Sequence, residues 1–145
     1  MDGIILVNKE KDMTSRDVVN KVCHLLNTKK VGHTGTLDPM AEGVLVIAFG
    51  KCLKIVEDIT SLNKSYEAEI TLGIETDTLD ITGEILTRSP VSVTEEQLLS
   101  VANGFKGEIL QTPPMYSALK KDGERLYDLA RKGIEIEREQ RQITI

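Results

Sequence analysis

Apolar positions along the first sixty residues fall into two kinds of run, and the difference predicts two kinds of element. Gly3-Ile4-Ile5-Leu6-Val7 is short and continuously apolar, the pattern of a buried strand. Thr14-Ser15 then offers a helix N-cap, and Val18, Val19, Val22, Leu25 and Leu26 follow at helical spacing on one face. The chain therefore opens β then α. Val44-Leu45-Val46-Ile47-Ala48-Phe49 reads as a second buried strand, closed by Gly50, and Ile55, Val56 and Ile59 give the next short helix its apolar side.

Beyond residue 65 the period changes. Tyr66, Ala68, Ile70, Leu72 and Ile74 alternate with Glu67, Glu69 and Thr71, the period-two signature of a strand with one wet face. Thr94-Glu95-Glu96-Gln97 is a capping box ahead of a helix carrying Leu98, Leu99, Val101 and Ala102. Pro113-Pro114 breaks the chain, Asp122-Gly123 signals a tight hairpin, and a short helix from Tyr127 to Lys132 finds its C-cap in Gly133. Gln142-Ile143-Thr144-Ile145 begins another strand. There is no internal repeat, low-complexity segment or linker, so the reading is one mixed α/β or α+β domain.

Length and charge refine this picture. With 145 residues the chain has room for a single core. No apolar stretch approaches the roughly 20 residues of a membrane helix, and Met1-Asp2 ahead of the first apolar run lacks a signal-peptide layout, so the cytoplasm is the expected compartment and no membrane partner is expected. Cys23 and Cys52 are far apart without metal-type spacing and read as reduced packing residues. A net charge of -5 argues at first against a nucleic-acid partner. Its distribution softens the objection: residues 1–64 carry nine Lys/Arg against eight Asp/Glu, residues 65–112 two against nine, and residues 113–145 seven against six. Basic residues gather at Lys29 and Lys30, at Lys51 and Lys54, and again at Lys120, Lys121, Arg125, Arg131 and Lys132. Solvated faces account for many such charges.

The stretch with most chemical content is Gly32-His33-Thr34-Gly35-Thr36-Leu37-Asp38-Pro39, continuing through Glu42-Gly43-Val44-Leu45. It reads as a loop built to present Asp38, since its glycines permit backbone angles that other residues resist and Pro39 biases Asp38 toward extended geometry. On residue types alone, an Asp in such a loop is most often a turn residue. Three further motifs stand downstream in order: Lys64-Ser65-Tyr66, Thr76-Asp77-Thr78-Leu79-Asp80-Ile81-Thr82-Gly83 and Pro114-Met115-Tyr116-Ser117-Ala118-Leu119-Lys120.

Together these four motifs resemble the TruB family, the tRNA pseudouridine-55 synthases, over essentially the whole chain. The resemblance implies an α+β fold, a mixed and mostly antiparallel sheet with flanking helices, in the pseudouridine synthase catalytic fold. It implies an N-terminal, truncated portion of that catalytic domain, with a thumb-like insertion at about 109–136, inactive on its own. The rest of the catalytic domain, including a Tyr-Ile-Arg segment whose arginine pairs with the aspartate, and a small C-terminal RNA-binding domain would be absent. The expected partner is tRNA, through its T-arm stem-loop, with no guide RNA, no cofactor, no metal, and a monomer at full length.

Residue by residue, the resemblance makes Asp38 the catalytic carboxylate and Tyr66 the aromatic ring against the target uracil; the competing reading of Tyr66 is a packing residue at a strand edge. His33 would enter the stack vacated by the flipped base, or else be an exposed loop histidine. Asp80 would reach the uridine or its neighbours, with Asp77 capping the turn. Lys54 would contact a phosphate or pair with a buried carboxylate. Lys120, Lys121, Arg125, Arg131 and Lys132 of the thumb would face phosphates, while Met115, Tyr116 and Leu119 pack its base. An earlier family motif, Lys9-Glu10-Lys11-Asp12-Met13-Thr14-Ser15, whose loop supports the catalytic one, departs from the family, with Glu10 for the usual proline and Asp12 for the usual glycine. Asp tolerates left-handed geometry better than most residues, so a looser loop is expected, not a different reaction. Two other readings compete: a non-catalytic module docking on the tRNA elbow, and a metal-dependent hydrolase using His33 and Asp38.

Overall fold

The computed structural model describes residues 1–145 apart from Ala118, so that position of the fourth motif lies outside the described residues. The backbone gathers into two compact units, Met1–Glu67 and Ala68–Ile145. No Pro/Gly-rich linker marks the boundary between them.

In the first unit, strand β1 (Gly3–Lys9) leads to helix α1 (Ser15–Leu25), then β2 (Val31–His33) and β3 (Gly43–Phe49). The three strands form an antiparallel sheet in the order β1-β3-β2. A 3₁₀ helix at Gly50–Ile55 and α2 (Val56–Thr60) complete the unit. Helix α1 starts where its capping residues dictate: the Thr14 hydroxyl accepts from Asp17 N–H at 3.1 Å and the Asp17 carboxylate accepts from Thr14 N–H at 2.9 Å. The Thr14 hydroxyl, which also donates to the Asp17 carboxylate at 2.6 Å, and then the Thr14 N–H hold the Asp17 carboxyl below the usual carboxylate range. Val18, Val19 and Val22 of α1 pack on Leu45 and Ile47 of β3 to form the core. Ile5 lies opposite Ile47 and Val7 opposite Leu45, so odd-numbered positions of β1 share the face that α1 covers.

The opposite face carries Ile4, Leu6 and Val44, all exposed. The first strand forms as expected, but its burial does not: β1 is an edge strand, and of its apolar residues only Val7 packs against the core cluster. Gly32 and His33, expected in a loop, belong to β2.

The second unit runs β4 (Ile74–Thr76), β5 (Ile85–Arg88), α3 (Glu95–Asn103), β6 (Glu108–Gln111), β7 (Lys120–Lys121), β8 (Glu124–Arg125), α4 (Leu126–Arg131) and β9 (Arg141–Thr144). Its ladders are two-stranded and antiparallel, β4 with β5, β6 with β9 and β7 with β8. The β7–β8 turn holds Asp122 at φ 53° and Gly123 at φ 88°, both in the left-handed region that an Asp-Gly hairpin turn requires. Helix α4 closes on Gly133 at φ 70°, whose N–H donates to Ala130 O while Ile134 N–H donates to Leu129 O, the paired bonds of a Schellman cap.

One predicted strand is missing. The alternation from Tyr66 to Ile74 produces no strand before Ile74, and residues 63–71 have no regular structure. Alternation specifies a strand only where a neighbour accepts its backbone hydrogen bonds, and no described strand pairs with this segment. Helix α3 begins at its capping box, with Thr94 and Gln97 bonded reciprocally, yet its Leu98, Leu99 and Val101 are exposed.

Candidate catalytic loop and nucleic-acid interface

Asp38 sits in the 34–42 connection between β2 and β3, and its side chain is exposed. The loop around it is fixed from both ends. Thr34, 7% exposed, donates its N–H to Val46 O at 3.0 Å, and its carbonyl accepts from the Thr60 hydroxyl at 2.8 Å. Ala41 N–H donates to Asp38 O at 3.0 Å. On one side of Asp38, Leu37 is bonded through both backbone groups to the Ser15 hydroxyl, which accepts from Leu37 N–H at 2.9 Å and donates to Leu37 O at 3.1 Å. On the other side, Pro39 O accepts from Asp12 N–H at 2.8 Å and from the Lys9 ammonium at 3.3 Å.

Lys9 is wholly buried, and its ammonium also donates to Met13 O at 2.8 Å and Glu10 O at 3.0 Å. A lysine can be buried at the end of an apolar strand because every donor finds a carbonyl. These bonds tie the Lys9–Ser15 segment to the Asp38 loop. Asp12, which stands at a position where glycine was expected, has φ 64°, so it takes up the left-handed geometry and delivers its N–H to Pro39. The result is an exposed carboxylate on immobilised backbone, an arrangement suited to reach a ligand without reorganising.

The other expected residues of this unit stand apart. His33 lies on β2 opposite Ile47, on the α1 side of the sheet, with its Nδ1 buried and unbonded among the described residues. It is therefore a strand residue turned partly inward rather than an exposed loop histidine. Lys54, on the 3₁₀ helix, is exposed and makes no ion pair or side-chain hydrogen bond with a described residue. Tyr66 is 72% exposed. No hydrogen bond joins it to Asp38 among the described residues.

In the second unit Asp80 is bound into its own turn. Its Oδ1 accepts from Thr82 Oγ1 at 2.6 Å, Thr82 N–H at 2.8 Å and Thr78 Oγ1 at 2.9 Å. These bonds, the Thr82 hydroxyl's foremost, hold the Asp80 carboxyl below its ordinary range, against partial burial that acts the other way. Asp77 caps the same turn by accepting from Glu84 N–H at 2.8 Å.

The thumb-like segment leaves from β6 and returns at β9, which pair with each other. Within it Lys120, Arg125, Arg131 and Lys132 line one hollow of about 670 Å³ together with Tyr127, Glu124 and Asp128, and Lys132 pairs with Glu124 at 3.4 Å. The Arg125 and Arg131 guanidiniums lie 5.6 and 5.4 Å from the Tyr127 ring centre. Lys121 is not part of this hollow; its ammonium donates to Glu137 O. Sequence reasoning missed Tyr127, although Arg131 stands four residues on, at helical contact spacing. It placed Lys9 and Ser15 in a supporting loop and offered Ser15 as a cap, but did not find their bonds to Pro39 and Leu37, although Lys9 shares the odd-position parity of Ile5 and Val7 and so points to the covered face. Among the described residues, no group of three or more His, Cys, Asp or Glu gathers to hold a metal ion.

Comparison with known proteins agrees with the motifs. A family model described as TruB family pseudouridylate synthase (N terminal domain) matches residues 23–145. The tRNA pseudouridine synthase B of Clostridium tetani is 53% identical over 146 residues, covering 100% of this chain and 50% of that protein. Its counterpart in Fusobacterium nucleatum is 50% identical with the same coverage, and that of an Azoarcus species 51% identical, covering 48% of its length. The chain thus spans about half the length of the curated relatives it matches. Among solved structures, a chain from a crystal structure of a Cbf5-Nop10-Gar1 complex superposes with a TM-score of 0.59 at 26% identity, covering 98% of this chain and 33% of that one. A chain from a structure of an H/ACA RNP bound to a substrate RNA containing 2'-deoxyuridine gives a TM-score of 0.50 at 27% identity, covering 75% and 29%. With the motif order, the antiparallel α+β architecture and a family match over most of its length, the chain belongs to the TruB family of pseudouridylate synthases.

Proposed function

We infer that this chain carries the catalytic loop of a tRNA pseudouridine synthase that isomerises the T-loop uridine of tRNA, with Asp38 as the reacting carboxylate. The observation that carries the reading is the exposed Asp38 side chain on backbone fastened at both neighbouring residues. The reaction breaks the N1–C1′ bond of uridine, turns the freed uracil and joins its C5 to C1′. The C5 proton leaves to solvent and N1 takes one up, so no electrons are exchanged and no redox partner is needed. Asp38 supplies a carboxylate beside the ribose, as nucleophile or base. The uridine must leave its stack to meet it, and Tyr66, exposed and aromatic, is the ring offered to the flipped base.

The hollow around Tyr127 supports an RNA backbone contact, since its four cations outnumber its two carboxylates, Glu124 and Asp128, even with Lys132 paired to Glu124 at 3.4 Å. Relatives near 50% identity are named as tRNA enzymes, and this favours a tRNA substrate over a guide-directed one. The test uses the full reading frame that carries this sequence and a T-arm stem-loop with tritium at C5 of its uridines. Tritium release mapping to a single T-loop position is the expected result. Release that requires an added guide RNA, or none with the T-arm bound, overturns the reading.

A further inference from the structure

We propose that Ser15 is a positioning residue for Asp38, acting through the backbone of Leu37. The inference rests on the reading of Asp38 as the reacting carboxylate. Ser15 opens α1, where a helix-start serine ordinarily exposes its hydroxyl or caps its own helix. Here Thr14 does the capping, and the Ser15 hydroxyl is spent elsewhere. Ser15 is only 3% exposed, and its single oxygen both accepts from Leu37 N–H at 2.9 Å and donates to Leu37 O at 3.1 Å, across 22 residues of sequence.

A hydroxyl that satisfies both polar groups of one distant residue ties down the two peptide groups that flank it, here Thr36–Leu37 and Leu37–Asp38. The residue so fixed directly precedes Asp38. The helix behind the hydroxyl is itself immobile, since Val18 and Val19, within its next turn, are core residues. Pro39 is held independently by Asp12 N–H and Lys9. Asp38 thus spans two anchored peptides, and Ser15 supplies the one on its N-terminal side. Because a displacement near 1 Å at a reacting group can cost about 100-fold in rate, loss of this anchor should reach the chemistry without touching the ligand.

The test compares Ser15→Ala and Ser15→Cys with Asp38→Asn in the full reading frame. Cysteine keeps the side-chain volume while offering only a weak donor and acceptor, so it guards against a variant that merely fails to pack. Three quantities are measured: the single-turnover rate at saturating T-arm RNA, the dissociation constant for the same RNA, and amide hydrogen exchange at Leu37 and along α1. The expected result is a rate lowered ~10- to 100-fold in both Ser15 variants with unchanged affinity, and faster exchange at Leu37 while the α1 amides stay protected. Wild-type rates despite faster Leu37 exchange overturn the proposal. So does a rate loss that appears only together with exchange throughout α1, which would make Ser15 a stability residue. If Asp38→Asn itself reacts at the wild-type rate, the underlying reading of Asp38 fails instead, and the two failures are separate.

Discussion

Replacing Lys9 with methionine tests how the Asp38 loop is held together, because the two side chains are similar in length and only the ammonium is lost. In the native protein that ammonium is fully buried and donates to Met13 O, Glu10 O and Pro39 O at 2.8, 3.0 and 3.3 Å. Pro39 O keeps a second donor in Asp12 N–H, so the substitution orphans two carbonyls, those of Glu10 and Met13. Bonds from a charged donor contribute about 1.5–3 kcal/mol each, which sets a gross loss of about 3–6 kcal/mol. Relief from burying a charge returns part of that, and a net destabilisation of about 2–4 kcal/mol remains. Against total stabilities of about 5–15 kcal/mol this is large. Urea titration followed by far-UV circular dichroism should show the midpoint moving down with little change in slope. A loss under about 0.5 kcal/mol, or a gain, would refute the reasoning, since it would mean the carbonyls find other partners or water at no cost.

Three further outcomes follow from other parts of the structure. Asp80 has its pKa lowered chiefly by the Thr82 hydroxyl, so its stabilising contribution is present above the ordinary carboxylate pKa of about 3.9 and lost as the pH falls through the lower folded value. Thr82→Ala should therefore raise the Asp80 pKa toward the ordinary value and move the acid-induced loss of the β4–β5 turn to higher pH, read by NMR titration of the Asp80 carboxyl. Asp12 at φ 64° tolerates left-handed backbone that a β-branched residue does not, so Asp12→Val should be about 1–2 kcal/mol less stable than Asp12→Gly by urea titration. Arg131→Ala, which removes one cation from the hollow around Tyr127, should weaken T-arm binding and lower the slope of log affinity against log salt by about 0.7–0.9 in filter-binding titrations.

What the sequence revealed and what it hid divide along physical lines. Elements specified by neighbouring residues were legible: Thr14 and Thr94 start helices through bonds to residues three positions on, and Asp122-Gly123 turns a hairpin through its own dihedral preferences. Asp12 was legible too, because a residue standing where a glycine was expected constrains φ at once. Elements that depend on a partner were not. Tyr66 to Ile74 alternates correctly and forms no strand before Ile74, because alternation says which face would be buried but not whether another strand is there. Ile4 and Leu6 are as apolar as Ile47, and their place on an edge strand, facing away from α1, leaves them exposed. Within the site, Asp38 was singled out by the resemblance of its motif to the family's, since its glycines and proline by themselves read as a turn. The bonds of Lys9 and Ser15 were not legible, because each reaches a residue at least 22 positions away, and such long-range bonds leave no local pattern to read.

The central claim is that Asp38 performs the chemistry, and Asp38→Asn in the full reading frame tests it most directly. The measurement pairs tritium release from C5-labelled T-arm uridine, under single-turnover conditions, with filter binding of the same RNA. Asparagine keeps the shape and leaves every cation of the Tyr127 hollow in place. The account predicts that release is abolished while affinity stays within about 3-fold of wild type, the signature of an interaction made only in the transition state. Release at a substantial fraction of the wild-type rate, with RNA bound normally, would contradict it.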